Sequence, residues 1–388
     1  MNSTGLPEPD GIAAAHSQRL RSVIIDHIHA AGGVISFADY MSHALYEPGL
    51  GYYMAGAAKF GSEGDFVTAP EVSPLFGRAI AVQIGEVLDD VGGGVLELGA
   101  GSGKLALSIV EALSSRPGFS YAILEPSAEL AERQRMFLQS SLSAQAFAQV
   151  SWLEALPASF VGVVLANEVM DALPVERFRM AIGGLQQMYV TADFTIEARP
   201  ASDALSDALA ALESDLDCRI LPDYESELCL LLPPWVRSLA DMLTVGVMML
   251  IDYGYPRREY YSPQRSRGTL ACYYRHRTHD DPMQMPGLQD ITAHVDFTTV
   301  AEAAVAANLT LLGYASQSAF LLDNNLLEIA DTALSGLSSD MDRISLTSEI
   351  KTLTLPGEMG ERFQVMALGS SYDQPLRGFR SQDLAYRL

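Results

Sequence analysis

Basic residues are scarce in this chain: 25 Lys and Arg stand against 48 Asp and Glu, a formal net charge of −23 over 388 residues. A surface of that sign repels nucleic acid and anionic membranes, so neither is an expected partner. Basic or neutral partners, an arginine-bearing one included, would be steered favourably. Cysteine is rarer still. Cys218, Cys229 and Cys272 form no C-x-x-C pair, which excludes a thiolate zinc site, and no metal is expected. Long hydrophobic runs are missing too. Val245 to Ile251 is far too short to span a bilayer. The polar stretch Met1–Asp10 has neither the basic nor the apolar region of a signal peptide. These absences together predict a cytoplasmic protein of ordinary globular composition, one large domain with insertions or two modest ones.

What is present is most informative at Val95-Leu96-Glu97-Leu98-Gly99-Ala100-Gly101-Ser102-Gly103-Lys104. A short apolar run ends in a glycine-rich turn and passes into a helix-like segment, the strand–turn–helix pattern of a nucleotide-binding α/β domain. A dinucleotide loop needs G-x-G-x-x-G so that pyrophosphate can sit on a helix N-terminus. Here the spacing is G-x-G-x-G, with Glu97 just before it. A carboxylate there would repel pyrophosphate and suit a cationic ligand. S-adenosyl-L-methionine has a sulfonium, an ammonium and no phosphate, so the pattern reads as a methyltransferase loop. The plain alternative is a tight strand–helix turn without a ligand.

About twenty residues on, Tyr121–Glu125 reads as a second strand ending in an acid, where such folds place a carboxylate on ribose hydroxyls. Glu125 could equally be a capping carboxylate. Pro126 follows, and Ser127 is placed to cap a helix from Ala128. Trp152, at a third strand end, belongs either beside adenine or in the core. The expected cofactor set is therefore Glu97, Gly99, Ala100, Gly101, Gly103, Glu125, Pro126, Trp152 and Asn167.

The wider pattern is β-α-β-α, with strands at Val95–Leu98, Tyr121–Glu125, Val150–Trp152, Gly162–Asn167 and Gly246–Tyr253. An antiparallel edge hairpin is expected from Leu309–Ala315 and Phe363–Gly369. The fold class is thus α/β, a Rossmann-like class I methyltransferase sheet. The expected division is residues 1–88 as an N-terminal helical segment with a lid loop, and 89–388 as the methyltransferase domain with insertions near 178–232 and 317–352. Residues 1–18 read as a loose leader, Gln18–Ala31 and Phe37–Tyr46 as helices, and Leu228–Leu232 as a strand. The glycine-dense, aromatic stretch 49–71 reads as an ordered loop that closes over the site.

The fourth strand ends Asn167-Glu168-Val169-Met170-Asp171-Ala172-Leu173-Pro174. In open α/β sheets ligands sit at the carboxyl ends of strands. Asn167 could orient a substrate nitrogen, and Glu168 and Asp171 could grip a guanidinium and accept its proton. The bland alternatives are a solvated Glu168 and a helix-capping Asp171. Asp252 and Tyr253 would face the same cleft, and Asp290, Thr292 and His294 are further candidates, His294 equally a structural residue. Arginines 257, 258, 265, 267, 275 and 277 form a basic loop, read as solvated and paired with nearby acids.

Six motifs together resemble one family. They are D-Y-M-x-x-x-L-Y-x-P-x-x-G-Y-Y (39–53), F-G-x-x-G-D-F-x-T-x-P-E (60–71), E-L-G-x-G-x-G (97–103), A-N-E-x-x-D-A-L-P (166–174), I-D-Y-G (251–254) and P-G-x-Q-D-I-T-A-H-V-D-F (286–297). The set is similar to the MidA family of class I methyltransferases, relatives of the mitochondrial arginine methyltransferase that serves complex I assembly. The resemblance implies S-adenosyl-L-methionine as cofactor, held by Glu97, Gly99, Gly101 and Gly103 with Glu125 on ribose. It implies that Asp65, Phe66, Thr68 and Glu71 close over the cofactor, and that Asn167 and Glu168 face the substrate. The implied activity is methylation of an arginine on a protein, with a subunit of an NADH:quinone oxidoreductase as one candidate. A small-molecule methyltransferase of the same fold, and an assembly factor that binds cofactor without turnover, are the alternatives. Ala100 departs from the proline frequent in relatives, which bears only on loop stiffness. The absence of a mitochondrial presequence fits a bacterial relative.

Overall fold

The computed structural model describes residues 6–55 and 68–388. By contact the described chain forms two compact units, each discontinuous in sequence. One comprises 6–55, Asp171–Pro234 and Tyr255–Asp296; the other comprises 68–170, Trp235–Gly254 and Phe297–Leu388.

The second unit is built on a mixed sheet. Its strands are β1 (Gly94–Leu98), β2 (Tyr121–Leu124), β3 (Val150–Leu153), β4 (Phe160–Asn167), β5 (Leu243–Tyr255), β6 (Thr310–Ser316) and β7 (Phe363–Ser370). They run in the order β6-β7-β5-β4-β1-β2-β3. The first five are parallel, and β7 is antiparallel to both β5 and β6. This is the α/β sheet with an antiparallel edge expected from the strand pattern. Strand order reverses between β1 and β4, the switch point at which such sheets open a ligand crevice beyond their carboxyl ends. β1 is buried at every position, as a parallel strand covered on both faces must be.

Three glycines cross the amino end of this sheet in register: Gly94 opposite Gly162, and Gly162 opposite Gly246. Gly162 and Gly246 have φ of +127° and +137°. A Cβ on Gly162 would lie 2.1 Å from the Gly94 carbonyl oxygen, and one on Gly246 only 1.8 Å from that of Gly162. No side chain fits at Gly162 or Gly246, because the obstruction there is backbone, and a Cβ on Gly94 would lie 2.7 Å from the Ser120 carbonyl oxygen as well as against its hydroxyl.

The helix Pro74–Val91 leads into β1. Ser73 caps it and proline fills its first turn. It meets the helix Lys104–Leu113 closely at Gly77, where a Cβ would come within 2.6 Å of Ser108 Cβ. The three helices Gln317–Asp323, Leu326–Ser335 and Asp340–Thr354 lie between β6 and β7, where a helical insertion was expected.

The first unit holds two antiparallel sheets. The larger contains the hairpin Glu176–Ala181 with Gly184–Thr191, flanked by Val34–Ser36, Tyr224–Leu228 and Ile196–Pro200. The helix Asp203–Leu216 buries Leu205, Leu209, Leu212 and Leu216 with Phe178 in one cluster, a helical stripe. The smaller sheet joins Arg277–His279, Ala271–Tyr274 and Asp290–Thr292.

Two expectations are corrected here. The supposed leader is helical from Gly11, because the Asp10 carboxylate takes the N–H groups of Ile12 and Ala13. Its first turns are largely exposed, so they carry no apolar period. The strand placed at Leu228–Leu232 is Tyr224–Leu228, which pairs with Glu176–Met180. The leucine run that follows enters the helix Leu232–Met242, with prolines in its first turn. Among the described residues no helix is long and apolar enough to cross a membrane.

Candidate active site

The glycine turn after β1 is held by backbone. Gly99 N–H donates to Leu124 O and Gly103 N–H to Ala100 O. Gly99, Gly101 and Gly103 have φ of +63°, +53° and +86°, a left-handed course that side chains resist. Gly103 caps the helix Lys104–Leu113 without a side-chain acceptor, so this cap leaves backbone N–H groups of the first turn free.

Beneath the turn, Glu97 is 2% exposed and accepts the Tyr121 hydroxyl at 2.9 Å. Burial pushes the Glu97 carboxyl up to about 8; the tyrosine bond opposes this and the nearby Glu125 charge reinforces it. Burial and Glu97 in turn hold the Tyr121 hydroxyl well above its ordinary range. The residue that separated a methyltransferase loop from a dinucleotide loop is thus a carboxyl group whose burial favours the protonated form.

Glu125 is also buried. Its Oε1 accepts Ser127 N–H and its Oε2 accepts Gln134 Nε2, both at 3.0 Å. Gln134 Nε2 reaches Gly101 O at 3.0 Å as well, and Gln134 Oε1 accepts Trp152 Nε1 at 3.0 Å. One amide therefore ties the glycine turn to the acid after β2 and the indole at β3. The sequence reading missed Gln134. The available signal was a polar residue in the buried stripe Leu130–Gln134–Leu138 of the helix Ala128–Ser141.

Thr68 stands at the start of the short helix Ala69–Val72. Glu71, on that helix, binds the Ser102 hydroxyl and, at 2.5 Å, Lys104 Nζ. Glu71 is thus committed to bracing the glycine turn rather than left open. Asp65, Phe66 and most of the expected lid lie outside the described residues.

At the carboxyl end of β4, Asn167 and Glu168 are brought together: Asn167 Nδ2 donates to Glu168 Oε1 at 3.2 Å. Among the described residues the buried Asn167 Oδ1 has no hydrogen-bond partner. Glu168 adopts φ +54°, a left-handed conformation that costs a non-glycine residue about 1 kcal/mol or more and clusters at functional sites. Its N–H donates to Ile251 O on β5. Asp252, expected to face the cleft, is instead fully buried, and takes Met170 N–H on Oδ2 and Tyr253 N–H on Oδ1. It fixes the course of the loop after β4.

Asp171 belongs to the first unit, where its carbonyl accepts Ala293 N–H. In that unit Tyr53 donates to Asp290 and stacks on Tyr46 at 5.6 Å between centroids. Both tyrosine hydroxyls are pushed up, by burial first and then by the Asp290 and Asp171 charges. Thr292 is buried on the same strand as Asp290. His294 donates its N–H to Thr269 and tilts its ring against Tyr255. In the arginine loop, Arg257 is buried rather than solvated, and pairs with Asp215 and Asp296.

A model of a family of S-adenosyl-L-methionine-dependent methyltransferases matches residues 79–315. The chain is 40% identical to a Burkholderia thailandensis crystal structure bound to S-adenosyl-homocysteine, over 99% of this chain and 100% of that one, with a TM-score of 0.92. A native crystal structure of a protein from the same organism is 39% identical over 99% and 100%, with a TM-score of 0.89. The "Protein arginine methyltransferase NDUFAF7, mitochondrial" of Danio rerio is 28% identical over 400 residues, 91% of this chain and 88% of the relative. The homolog of Drosophila melanogaster is 28% identical over 413 residues, 95% and 91%. These names overturn the expectation of a cytoplasmic protein, because the curated relatives are designated mitochondrial. Net charge and apolar runs report what a fold can bind or span, whereas compartment is set by a receptor-read address that neither quantity encodes.

Proposed function

The chain belongs to this family of S-adenosyl-L-methionine-dependent methyltransferases, and on that premise we propose that it methylates an arginine side chain of a protein, with Asn167 and Glu168 as the groups that meet the acceptor nitrogen. The observation that carries the reading is the pair itself. Asn167 presents a buried carbonyl oxygen with no donor among the described residues, beside a glutamate held in a left-handed conformation. A buried acceptor left empty costs about 1–3 kcal/mol. A ligand that brings N–H groups, such as a guanidinium, recovers it.

The cofactor residues we assign are Glu97, Gly99, Ala100, Gly101, Gly103, Glu125, Pro126 and Trp152, with Asn167 at the junction of cofactor and acceptor. The donor set suits the ligand. The left-handed glycines leave a side-chain-free cradle, and Glu97 with Glu125 supplies the negative field that a sulfonium and an ammonium require. When bound, S-adenosyl-L-methionine supplies an electrophilic methyl group. Glu168 holds the guanidinium by charge-assisted hydrogen bonds and accepts the proton that the acceptor nitrogen sheds as its new N–C bond forms. Asp252 keeps the loop after β4 in place through Met170 N–H, so that alignment accounts for most of the acceleration. Thr68, with the undescribed Asp65 and Phe66, is assigned to covering the cofactor.

The arginine preference draws on the names of the curated relatives. A subunit of a respiratory NADH:quinone oxidoreductase is the acceptor toward which that kinship points. The test is E168Q. Transfer of labelled methyl to protein should fall by a factor of about 100 or more, while calorimetry gives unchanged affinity for S-adenosyl-L-methionine. Unchanged turnover removes Glu168 from the mechanism. Label found only on small molecules removes the protein substrate.

A further inference from the structure

Three metal-binding side chains meet on the first two helices, two of them at unspecified positions of the 39–53 motif. His27 lies on the helix Gly11–Ala30, His43 on the helix Phe37–Tyr46, and Glu47 is the C-cap residue of that second helix. The imidazoles stack at 4.1 Å between centroids, with 20° between planes. His43 Nδ1 lies 2.7 Å from Glu47 Oε2, and His27 Nε2 lies 4.0 Å from the same oxygen. One ligand atom from each of the three falls within 4.8 Å of the others.

We propose that His27, His43 and Glu47 form a three-donor site for a borderline transition-metal ion of the zinc class. Bonds of about 2.0–2.2 Å in tetrahedral geometry put neighbouring donors about 3.3 Å apart. The distances of 2.7 and 4.0 Å bracket that value, and rotation of the Glu47 carboxylate evens them. Two imidazole nitrogens and one carboxylate oxygen select zinc, cobalt, nickel or copper over magnesium and calcium, which prefer all-oxygen shells. Low cysteine content excludes a thiolate site and has no bearing on an imidazole one.

The scaffold is prepared. Leu20, Ile24 and Ile28 bury one face of the first helix; Phe37, Tyr40, Met41, Ala44 and Leu45 bury the second, all in a single core cluster. His43 and Glu47 are one turn apart, so they project together. Three protein donors leave a fourth position for water. On binding, the ion takes the place of the hydrogen between His43 Nδ1 and Glu47 Oε2, and the neutral imidazole carries its proton on Nε2 instead. The bound ion then joins the two helices at their exposed rim.

The experiment uses the full chain dialysed against a chelator. Titration with Co²⁺ should produce the visible d–d bands of a tetrahedral N,N,O site, and calorimetry with Zn²⁺ should show one ion per chain. H27N and H43N should each weaken Zn²⁺ binding about tenfold or more. Zn²⁺ should raise the thermal midpoint of the wild type and not of these variants. E47Q serves as a third variant should either histidine substitution disturb the helix. Absence of Zn²⁺ binding by the wild type overturns the proposal, as does affinity unchanged from the wild type in all three variants.

Discussion

Glu97 does two things that pull in opposite directions. In the free chain its carboxyl holds a proton to about pH 8, against an ordinary value of 4.5, because burial disfavours the anion. Between those values the folded state binds one proton more than the unfolded state. Stability is therefore full below pH 4.5 and declines as pH rises toward 8, by roughly 1.4 kcal/mol per pH unit at most. Urea unfolding of wild type and E97Q across that range should show the slope in the first and its loss in the second. A cationic cofactor favours the anion instead, so binding at pH 7 should release a proton, and affinity should rise with pH up to about 8. Calorimetry in two buffers of different ionisation enthalpy measures that proton directly; E97Q should release none. Glu97 was legible in the sequence because an acid before a glycine turn is a local pattern. Gln134 was not, because its three partners come from three separate strand ends, and only the fold assembles them.

Among elements, the glycine turn depends on neighbours that brace it from two sides. The short helix Ala69–Val72 does so through Glu71, and the helix Ala128–Ser141 does so through Gln134. Q134A leaves Trp152 Nε1, Gly101 O and Glu125 Oε2 without their present partner. We expect a loss of about 2–4 kcal/mol, read as a lower urea midpoint at unchanged slope, and weaker cofactor binding in calorimetry. D252N should leave cofactor affinity unchanged and lower kcat about tenfold or more, because the Met170 N–H that anchors the loop after β4 loses a charged acceptor. Steady-state kinetics beside calorimetry separates the two effects. Element boundaries were legible where a cap and a period coincide, as at Ser36 before the helix Phe37–Tyr46. They were not legible in the leucine run 230–232, whose apolar residues suit a strand and a helix start equally well until cross-strand pairing decides.

For the whole molecule, the strand positions of the sheet unit followed from periodicity and turn chemistry, since each β-α step is local, while their order in the sheet came only with the fold. The other unit did not, because its parts are three stretches interrupted by segments of the sheet unit, the first interruption more than a hundred residues long, and joined by long-range packing. That no composition shift marks its borders has a physical cause: both units need the same apolar interior. The glycine row across β1, β4 and β5 belongs to this scale as well. G162A and G246A should each cost at least about 3 kcal/mol, seen as a large fall in thermal midpoint, while alanine at the uncrowded Gly183 of the Ile182–Gly183 hairpin turn should cost little. The row also has a consequence for inheritance. An alanine there collides with carbonyl oxygens that every residue type carries, so no change of side chain at a neighbouring position can make room for it. A genetic screen starting from G246A should recover reversion to glycine and no intragenic suppressor within the row. Lineages carrying this sheet are therefore bound to keep the three positions together, each a one-way door through which drift cannot pass by compensation.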